Sequence, residues 1–368
     1  MGIIDERVCQ IALSRLPGIG AKTVRQLIAH CGSASDVFSS SKATLQKIPG
    51  IGNTLSGILT DSNTIHLAER DLHFYLRNNI EMLFYLDKGY PPRLKHFDDM
   101  PVVLYVKGRP DWLATRTVAV IGTRSPDRRG KEICHDLING LKAYHVQIIS
   151  GLAYGIDASA HNSSLSMDME NIAVMGTGMD VIYPAVHRTL AKRIENNGAL
   201  VTEFPIRSRA DKENFPRRNR IIAGLADAVV VIQSKERGGS LITVEYANQY
   251  NKDVFAFPGG IDNPLHKGCN KLIKRHKAHL IENISDLVHI MRWDSDITQK
   301  RAPQGILFCD LDEDEKKMLH AIREGDAVST DYLSSILGLS FSQMTSTLLQ
   351  LELKGLIISY PGNRFKAV

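Results

Sequence analysis

Three arginines fall within four positions at the entrance to an apolar run. Arg217, Arg218 and Arg220 belong to the segment NFPRRNR, residues 214–220, which leads directly into IIAGLADAVVVI. Arginine is rarely buried without a partner. We therefore expect an anion where this segment enters the core.

Glycine turns with basic or hydroxyl residues recur elsewhere in the chain. They are GTRS (122–125), SGLAYGIDASAH (150–161), GTGMDVIYP (176–184) and RGGSLIT (237–243). Glycines leave backbone N–H groups open at helix N-termini, and such groups bind phosphate. The candidate binding residues are Gly122, Arg124, Ser150, Gly151, Lys212, Phe215, Arg217, Arg218, Arg220, Gly238, Gly239 and Ser240.

Several common enzyme signatures are missing from the sequence. GTRSPDRRG lacks the Gly-x-Gly-x-x-Gly spacing of a dinucleotide site, and neither Gly-x-Ser-x-Gly nor His-Glu-x-x-His occurs. Asp157 and His161 are four residues apart, which suits an acid–base pair or a helix-stabilising ion pair. Phosphates in series, with Phe215 available to stack on a base, favour a single-stranded nucleic acid as the ligand.

Six short apolar runs predict the element that positions these turns. Each run is nearly continuous and often β-branched, as in strands covered on both faces. We expect an extended Rossmann-like, doubly wound, mostly parallel α/β sheet within residues 75–295, with ligands beyond the carboxyl ends of its strands. The runs are TVAVIG (117–122), VQIISG (146–151), IAVMG (172–176), ALVTEF (199–204), AVVVIQ (228–233) and DVFAFPG (253–259).

Two smaller domains are predicted beside this sheet. Residues 1–70 repeat a helix, a Pro-Gly-Ile-Gly turn (LPGIG, then IPGIG) and a helix, which indicates a helix-hairpin-helix or SAM-like domain. Its turns suit phosphate binding and a purely structural role equally well. Residues 296–309 are the predicted linker. Residues 310–368 predict a winged helix with nine acidic and six basic residues. This charge balance disfavours the winged helix as the main DNA-binding surface and favours a protein-interaction or accessory role.

Composition limits the class of protein. The chain has 368 residues, 43% of them hydrophobic, and a net charge of +5. Its five cysteines are far apart, so we expect reduced thiols rather than disulfides or structural zinc. With no visible signal peptide or membrane-length apolar stretch, we expect a cytoplasmic protein that does not associate with a membrane.

These motifs together resemble the DNA-processing protein A (DprA/Smf) family. The matching segments are GTRS, SGLAYGIDASAH, GTGMDVIYP, FPRRNRIIAGLADAVVV, GGSLIT, VFAFPG and GCNKLI. The resemblance covers residues 80–282 closely and the flanking domains by arrangement. One departure is IKRHKAHLI (273–281), where many members have a shorter Gly-Ala turn.

The resemblance implies a function. Members are cytoplasmic single-stranded-DNA-binding proteins of natural transformation, which protect incoming strands and help to load the RecA recombinase. They commonly form homodimers, and no catalytic activity, cofactor or metal is implied. By motif, Arg124, Lys212 and Phe215 match the DNA-contacting positions of the family, whereas any of the three later arginines could instead hold the loop or the dimer.

Two alternatives come from other functional classes. Nucleotide phosphoribohydrolases have a related α/β fold, but GGSLITVEYA has Leu241 and Ile242 where those enzymes need Gly-Thr. A transcription regulator acting through the winged helix is the other alternative, and the acidic balance of that segment counts against it.

Overall fold

The computed structural model describes residues 5–59, 62–293, 311–325, 327–360 and 363–367. The chain divides into two compact units, one ending at Ile284 and the other beginning at Ser285. The predicted linker, residues 296–309, lies outside the described residues. Among the described helices, none has both the length and the apolar character needed to cross a membrane.

Helices form the first part of the larger unit. Each Pro-Gly-Ile-Gly turn leads into a helix, and its first glycine, Gly18 or Gly50, has a φ of 75° or 82°. That left-handed conformation favours glycine. The last of these helices runs to Arg77, beyond residue 70, where the sequence analysis ends the helical domain. The helices are α1 (Glu6–Arg15), α2 (Ala21–Cys31), α3 (Ala34–Ser39), α4 (Lys42–Leu45), α5 (Asn53–Leu59) and α6 (Ser62–Arg77).

A nine-stranded sheet is the centre of this unit. Each of the six predicted apolar runs overlaps one strand, β3 to β8, and β1, β2 and β9 are additional strands. The strands are β1 (Glu81–Phe84), β2 (Val103–Gly108), β3 (Thr117–Ile121), β4 (Gln147–Ser150), β5 (Asn171–Val174), β6 (Ala199–Thr202), β7 (Ala228–Val231), β8 (Asp253–Ala256) and β9 (His279–Leu280).

The sheet is mostly parallel, which confirms the predicted fold class. Its order is β1-β2-β6-β5-β4-β3-β7-β8-β9. Strand β2 is antiparallel to both β1 and β6, and the pairs from β6 to β9 are parallel. The chain builds outward from β3 to β6 and then returns to place β7 on the other side of β3. The order of the strands therefore reverses between β3 and β7.

Alternate residues of the strands pack into two hydrophobic cores. Tyr105 and Leu200 belong to one core, together with residues of the N-terminal helices. Their neighbours Leu104 and Val201 belong to the other core. This period of two is the ordinary geometry of a strand, so both faces of the sheet are covered, as the continuous apolar runs predict.

The remaining helices of the larger unit connect the strands. Helix α8 begins at a side-chain cap, in which Asp127 accepts a 2.8 Å hydrogen bond from the Gly130 N–H. The helices are α7 (Pro92–Lys95), α8 (Arg128–Lys142), α9 (Ile156–Ser166), a 3-10 turn (Ala185–His187), α10 (Arg188–Asn197), α11 (Asn214–Leu225), α12 (Ser240–Gln249) and α13 (Lys267–Lys274).

The second unit has the predicted winged-helix architecture. Its three-stranded antiparallel sheet has the order β10-β12-β11. An ion pair joins Lys354 to the buried Glu315. The elements are α14 (Ile284–Ile290), α15 (Glu313–Arg323), β10 (Val328–Ser329), α16 (Thr330–Leu337), α17 (Phe341–Leu353), β11 (Ile357–Tyr360) and β12 (Arg364–Ala367).

Candidate nucleic-acid interface

The reversal point between β3 and β7 is where an open α/β sheet usually binds a ligand. Here side chains fill that crevice. The fully buried Gln233 donates a 2.9 Å hydrogen bond to Asp127, and its amide nitrogen lies 3.1 Å from the His266 ring. Gly130 packs against the same amide, so closely that a Cβ there would overlap it. The crevice is therefore closed by the protein's own polar groups.

A small pocket lies instead beyond the ends of β4 and β5. Phe215, in the first turn of α11, packs over Gly176, where a Cβ would lie 3.0 Å from the ring. The Tyr183 ring is 5.7 Å from the Phe215 ring, and the Arg124 guanidinium lies 5.2 Å from the centre of the Phe215 ring. The pocket is lined by Arg124, Gly151, Ala153, Tyr154, Gly176, Thr177, Tyr183, Pro184 and Phe215.

The polar ends of this pocket are accessible. Arg124 is exposed, and Tyr154 and Tyr183 leave 46% and 43% of their surface in solvent. Lys212 is also exposed, but it is not among the residues that line the pocket. Lys212 precedes Phe215 by three residues, in the loop that leads into α11. The pocket thus offers aromatic faces beside fixed positive charge, an arrangement that suits a base attached to a phosphate.

Arg218 points away from solvent. Its side chain is buried and donates hydrogen bonds to the carbonyls of Gly151 and Val174. Burial lowers the pKa of Arg218 to about 10, and the Asp157 carboxylate acts in the opposite direction. Burial likewise raises the pKa of Asp157, and Arg218 counteracts that shift. The anion facing Arg218 is therefore supplied by the protein itself.

The two neighbouring arginines have different surroundings. Arg220 forms an ion pair with Glu203, and both side chains are largely buried. Arg217 is exposed and lies 5.3 Å from the Phe204 ring. Thus one arginine of the cluster reaches solvent, one is partly buried in an ion pair and one is enclosed.

The other predicted residues hold the turns in place. The Ser150 hydroxyl donates a 2.6 Å hydrogen bond to the Val120 carbonyl and is fully buried. Gly122 lies against Ile156, the first residue of α9, where a Cβ would come within 2.6 Å of that side chain. Both residues shape the strand ends, and their side-chain positions are not exposed in the pocket.

The turn at residues 238–240 lies apart from the pocket. The Gly238 N–H donates to the Lys235 carbonyl at 3.0 Å, and the Ser240 hydroxyl donates to Ser234 at the same distance. This turn begins α12 after the closed crevice, and none of its residues lines the pocket. Of the twelve predicted residues, the pocket brings together Arg124, Gly151 and Phe215.

Sequence reasoning missed the two exposed tyrosines. Tyr154 and Tyr183 lie inside two of the glycine-rich motifs, SGLAYGIDASAH and GTGMDVIYP. The sequence position of these tyrosines indicates their exposure, because an aromatic residue in a loop that follows a buried strand lies outside the hydrophobic core. Its exposure beside an arginine is the mark of a stacking surface.

The structure does not place Asp157 and His161 as an accessible acid–base pair. Both are buried, and the His161 Nδ1 bonds to the Asn171 side-chain oxygen at 3.0 Å. Burial lowers the pKa of His161 to about 4, so the ring is neutral at neutral pH. Across the described ranges, no group of three or more His, Cys, Asp or Glu residues is arranged to hold a metal ion.

Comparison with protein-family models gives three matches in chain order. A SAM-like helix-hairpin-helix tandem matches residues 11–56. The model described as DNA recombination-mediator protein A matches residues 81–292, and the DprA winged helix domain matches residues 308–363. The central match covers more than half of the chain and includes the whole pocket.

Curated relatives are similar to this chain over more than half of its length. The chain is 31% identical to Protein Smf of Synechocystis sp. over 395 residues, which cover 98% of this chain and 99% of the relative. It is 43% identical to the DNA processing protein DprA of Streptococcus pneumoniae over 203 residues, which cover 55% of this chain and 71% of the relative.

Solved structures show the same fold. DNA processing protein A from Streptococcus pneumoniae superposes with a TM-score of 0.67 and 32% identity, covering 78% of this chain and 98% of that one. DNA processing protein A from Helicobacter pylori, studied for its single-stranded DNA binding mode, gives a TM-score of 0.53 and 27% identity. That match covers 58% of this chain and 96% of that one.

Proposed function

Because the chain belongs to the DNA recombination-mediator protein A family, we propose that it binds single-stranded DNA as a recombination mediator of natural transformation. In this proposal it acts in the cytoplasm as a homodimer, protects incoming strands and assists the loading of RecA recombinase. No catalytic step, cofactor or metal takes part. The Helicobacter pylori relative, described for its single-stranded DNA binding mode, supports the choice of ligand.

The observation that carries the proposal is the pocket formed by Phe215, Tyr183 and Arg124. An unpaired base presents a flat face to an aromatic ring, whereas a base within a duplex is already stacked on its neighbours. Stacking on a protein aromatic contributes roughly 1–3 kcal/mol per base and tolerates any sequence. The Arg124 guanidinium beside the ring would meet the phosphate joined to that base.

We assign the predicted residues to two roles. Arg124, Lys212, Phe215 and Arg217 are accessible at least in part and would contact the strand. The remaining predicted residues would shape the turns at the strand ends rather than contact the strand, because they are enclosed, ion-paired or positioned in tight turns. These supporting residues are Gly122, Ser150, Gly151, Arg218, Arg220, Gly238, Gly239 and Ser240.

A fluorescence-anisotropy titration tests the proposal. The full chain should bind a labelled single strand more tightly than a duplex of the same length, with little dependence on sequence. Affinity should fall with salt, with a log–log slope of roughly 0.7 for each phosphate neutralised. Equal or tighter duplex binding would contradict the proposal.

Variants separate charge from stacking in the same assay. Arg124→Ala and Lys212→Ala should weaken binding and flatten the salt dependence, because each removes a phosphate partner. Phe215→Ala should cost about 1–3 kcal/mol and leave the salt slope nearly unchanged. Phe215→Leu, which keeps much of the apolar volume but no ring, is the matched control and should bind as weakly as Phe215→Ala.

The recombinase step needs its own assay. RecA should assemble faster on single strands covered by single-strand-binding protein when this chain is added. The Phe215→Ala chain should accelerate assembly less, in proportion to its lost affinity. If the Phe215→Ala chain accelerated assembly as much as the unaltered chain does, the pocket would not be needed for the recombinase step.

A further inference from the structure

A second open surface continues from the pocket. It is a groove between the N-terminal halves of α8 and α9, and two of its residues, Arg124 and Tyr154, also line the pocket. Because the two surfaces share these residues, a strand that left the pocket past Tyr154 would enter this groove. The groove is lined by Arg124, Ser125, Pro126, Lys131, Tyr154, Gly155, Ala158, Ser159 and Asn162.

The charge of the groove is of one sign. Arg124 and Lys131 are its ionised groups, and no carboxylate occurs among the described residues that line it. Lys131 is exposed and has no ion-pair partner within the described part of the chain. By contrast, Arg128 and Arg129 on the same helix both pair with Glu132. Lys131 is therefore free to meet an anion.

The orientation of α8 places Lys131 toward α9. His135 lies one turn after Lys131, and its ring nitrogen is 3.3 Å from the Ser163 hydroxyl of α9. Residues four apart share one face of a helix, so Lys131 and His135 both face α9. The groove floor adds the polar side chains of Ser159 and Asn162, which suit the sugar and base edges of a nucleotide.

Tyr154 stands at the boundary between pocket and groove. Its ring meets His187 edge to face at 5.3 Å, and His187 is itself held by a 2.9 Å hydrogen bond to the Leu152 carbonyl. The ring is thus braced on one side, while 46% of the residue remains in solvent. Because the Tyr154 ring is already held by His187 and is half-exposed, it can stack on a base with little further loss of side-chain conformational entropy.

We propose that this groove is a second nucleotide-binding subsite, which holds the stretch of single strand that continues from the pocket. Tyr154 stacks on a base at the boundary, and Lys131 with Arg124 contacts the phosphates beyond it. The inference rests on the proposed function, since it extends the path of the same strand. It predicts that affinity depends on strand length through residues that a very short oligonucleotide does not reach.

The test compares oligothymidylates of about four and about twelve nucleotides, lengths that span common single-strand site sizes. Lys131→Ala in the full chain should leave binding of the short strand unchanged. It should weaken binding of the long strand and reduce its salt slope by roughly 0.7. Lys142→Ala, an exposed lysine at the other end of α8, is the matched control and should behave as the unaltered chain with both strands.

The role of Tyr154 is tested by the binding affinities of its variants and by photochemical crosslinking. Tyr154→Ala should weaken binding of the long strand roughly 5- to 150-fold with an unchanged salt slope, and Tyr154→Phe should restore it. A strand with one 5-iododeoxyuridine should crosslink to Tyr154 at a position different from the one that crosslinks to Phe215.

The outcomes distinguish the two proposals. If the unaltered chain binds no single strand of either length, the proposed function itself fails. If it binds both, but Lys131→Ala and Tyr154→Ala bind the long strand as the unaltered chain does, only the groove subsite is overturned.

Discussion

At the residue scale, Gly151 and Arg218 are fitted to each other. The guanidinium of Arg218 lies where a side chain on Gly151 would start, since a Cβ there would come within 2.6–2.7 Å of three of its atoms. The arginine also donates to the Gly151 carbonyl. A buried charge is stable only when it is paired and hydrogen-bonded, so the missing side chain at Gly151 is part of what makes the buried arginine possible.

A methyl group at Gly151 tests this close fit. Gly151→Ala should lower the free energy of unfolding by about 1–3 kcal/mol, because overpacking shifts Arg218 away from its carbonyl partners. It should also weaken single-strand binding, since Arg218 and Phe215 share helix α11. Thermal melting followed by circular dichroism measures the first effect, and fluorescence anisotropy measures the second.

The matched control is Gly239→Ala. Nothing lies within 4 Å of a Cβ at Gly239, and its φ of −62° is open to alanine. Its melting temperature should stay close to that of the unaltered chain. If Gly151→Ala melted at that same temperature, the packing of Arg218 described here would be wrong.

At the element scale, a buried polar cluster fixes helix α9 to strand β5. His161 and Ser164 of α9 both bond to the side-chain oxygen of Asn171, at 3.0 and 2.7 Å. With this oxygen as acceptor, the His161 Nδ1 carries the proton. Its buried Nε2 has no hydrogen-bond partner among the residues that the structure describes, so adding a second proton there would bury an uncompensated charge. This is the physical reason that burial lowers the pKa of His161 to about 4.

This shift makes the stability of the fold depend on pH. An unfolded histidine has a pKa of about 6.5, so the unfolded chain binds this proton first. The contribution of the neutral His161 ring to the free energy of unfolding is fully present above about pH 6.5 and is lost as the pH falls toward 4. The slope from this one group approaches about 1.4 kcal/mol per pH unit within that window.

Replacing His161 measures how much its ring contributes to the pH dependence of stability. The His161→Gln chain should be less stable at neutral pH, yet its free energy of unfolding should fall less steeply between about pH 6.5 and pH 4. Urea unfolding at a series of pH values provides the measurement. His96→Gln, which replaces an exposed histidine, should retain the slope of the unaltered chain; equal slopes in all three chains would exclude His161 as the cause.

Strands with two buried faces were predictable because most residues in them are apolar, and their few polar residues lie at the strand ends. All six continuous runs of the parallel sheet became strands. Strand β1 is only four residues long with its first residue exposed, and β9 has two residues, both exposed. Such edge strands form because a neighbouring strand supplies hydrogen bonds, and short-range sequence patterns do not contain that information.

For the candidate site, the sequence indicates which residues are available more than how they are arranged, and their role in binding stays a prediction. The motifs located the turns correctly, and Arg124 and Phe215 lie together in the pocket. The sequence could not show which arginine of the cluster turns inward, because that depends on the carbonyls of Gly151 and Val174, which come from other strands. For the same reason it could not show that Gln233 and His266 fill the crevice between β3 and β7.

At the scale of the whole molecule, the N-terminal helices and the sheet share one hydrophobic core. The Tyr75 ring stacks on Tyr105 of β2 at 4.3 Å, and its hydroxyl accepts a 3.2 Å hydrogen bond from the Ile206 N–H. Arg7 of α1 forms an ion pair with Asp87. A cut near residue 75, which the sequence boundaries suggest, would therefore expose a buried surface of the sheet.

The winged helix contains none of the proposed binding residues. All of these residues lie in the larger unit, and α17, the longest helix of the winged-helix fold, has no lysine or arginine in its sequence FSQMTSTLLQLEL. The acidic balance of residues 310–368, nine acidic residues against six basic ones, also opposes contact with phosphates.

Two truncated chains should consequently behave differently. Removing residues 311–368 should leave the single-strand affinity within about twofold of the full chain, because no phosphate partner or stacking ring is lost. Removing residues 1–77 should lower the melting temperature by about 10 °C or more, because several large apolar side chains, including Tyr105, lose their cover. Thermal melting establishes that each chain is folded before its affinity is measured by anisotropy. A folded chain without residues 311–368 that no longer binds single strands would move the binding surface to the winged helix.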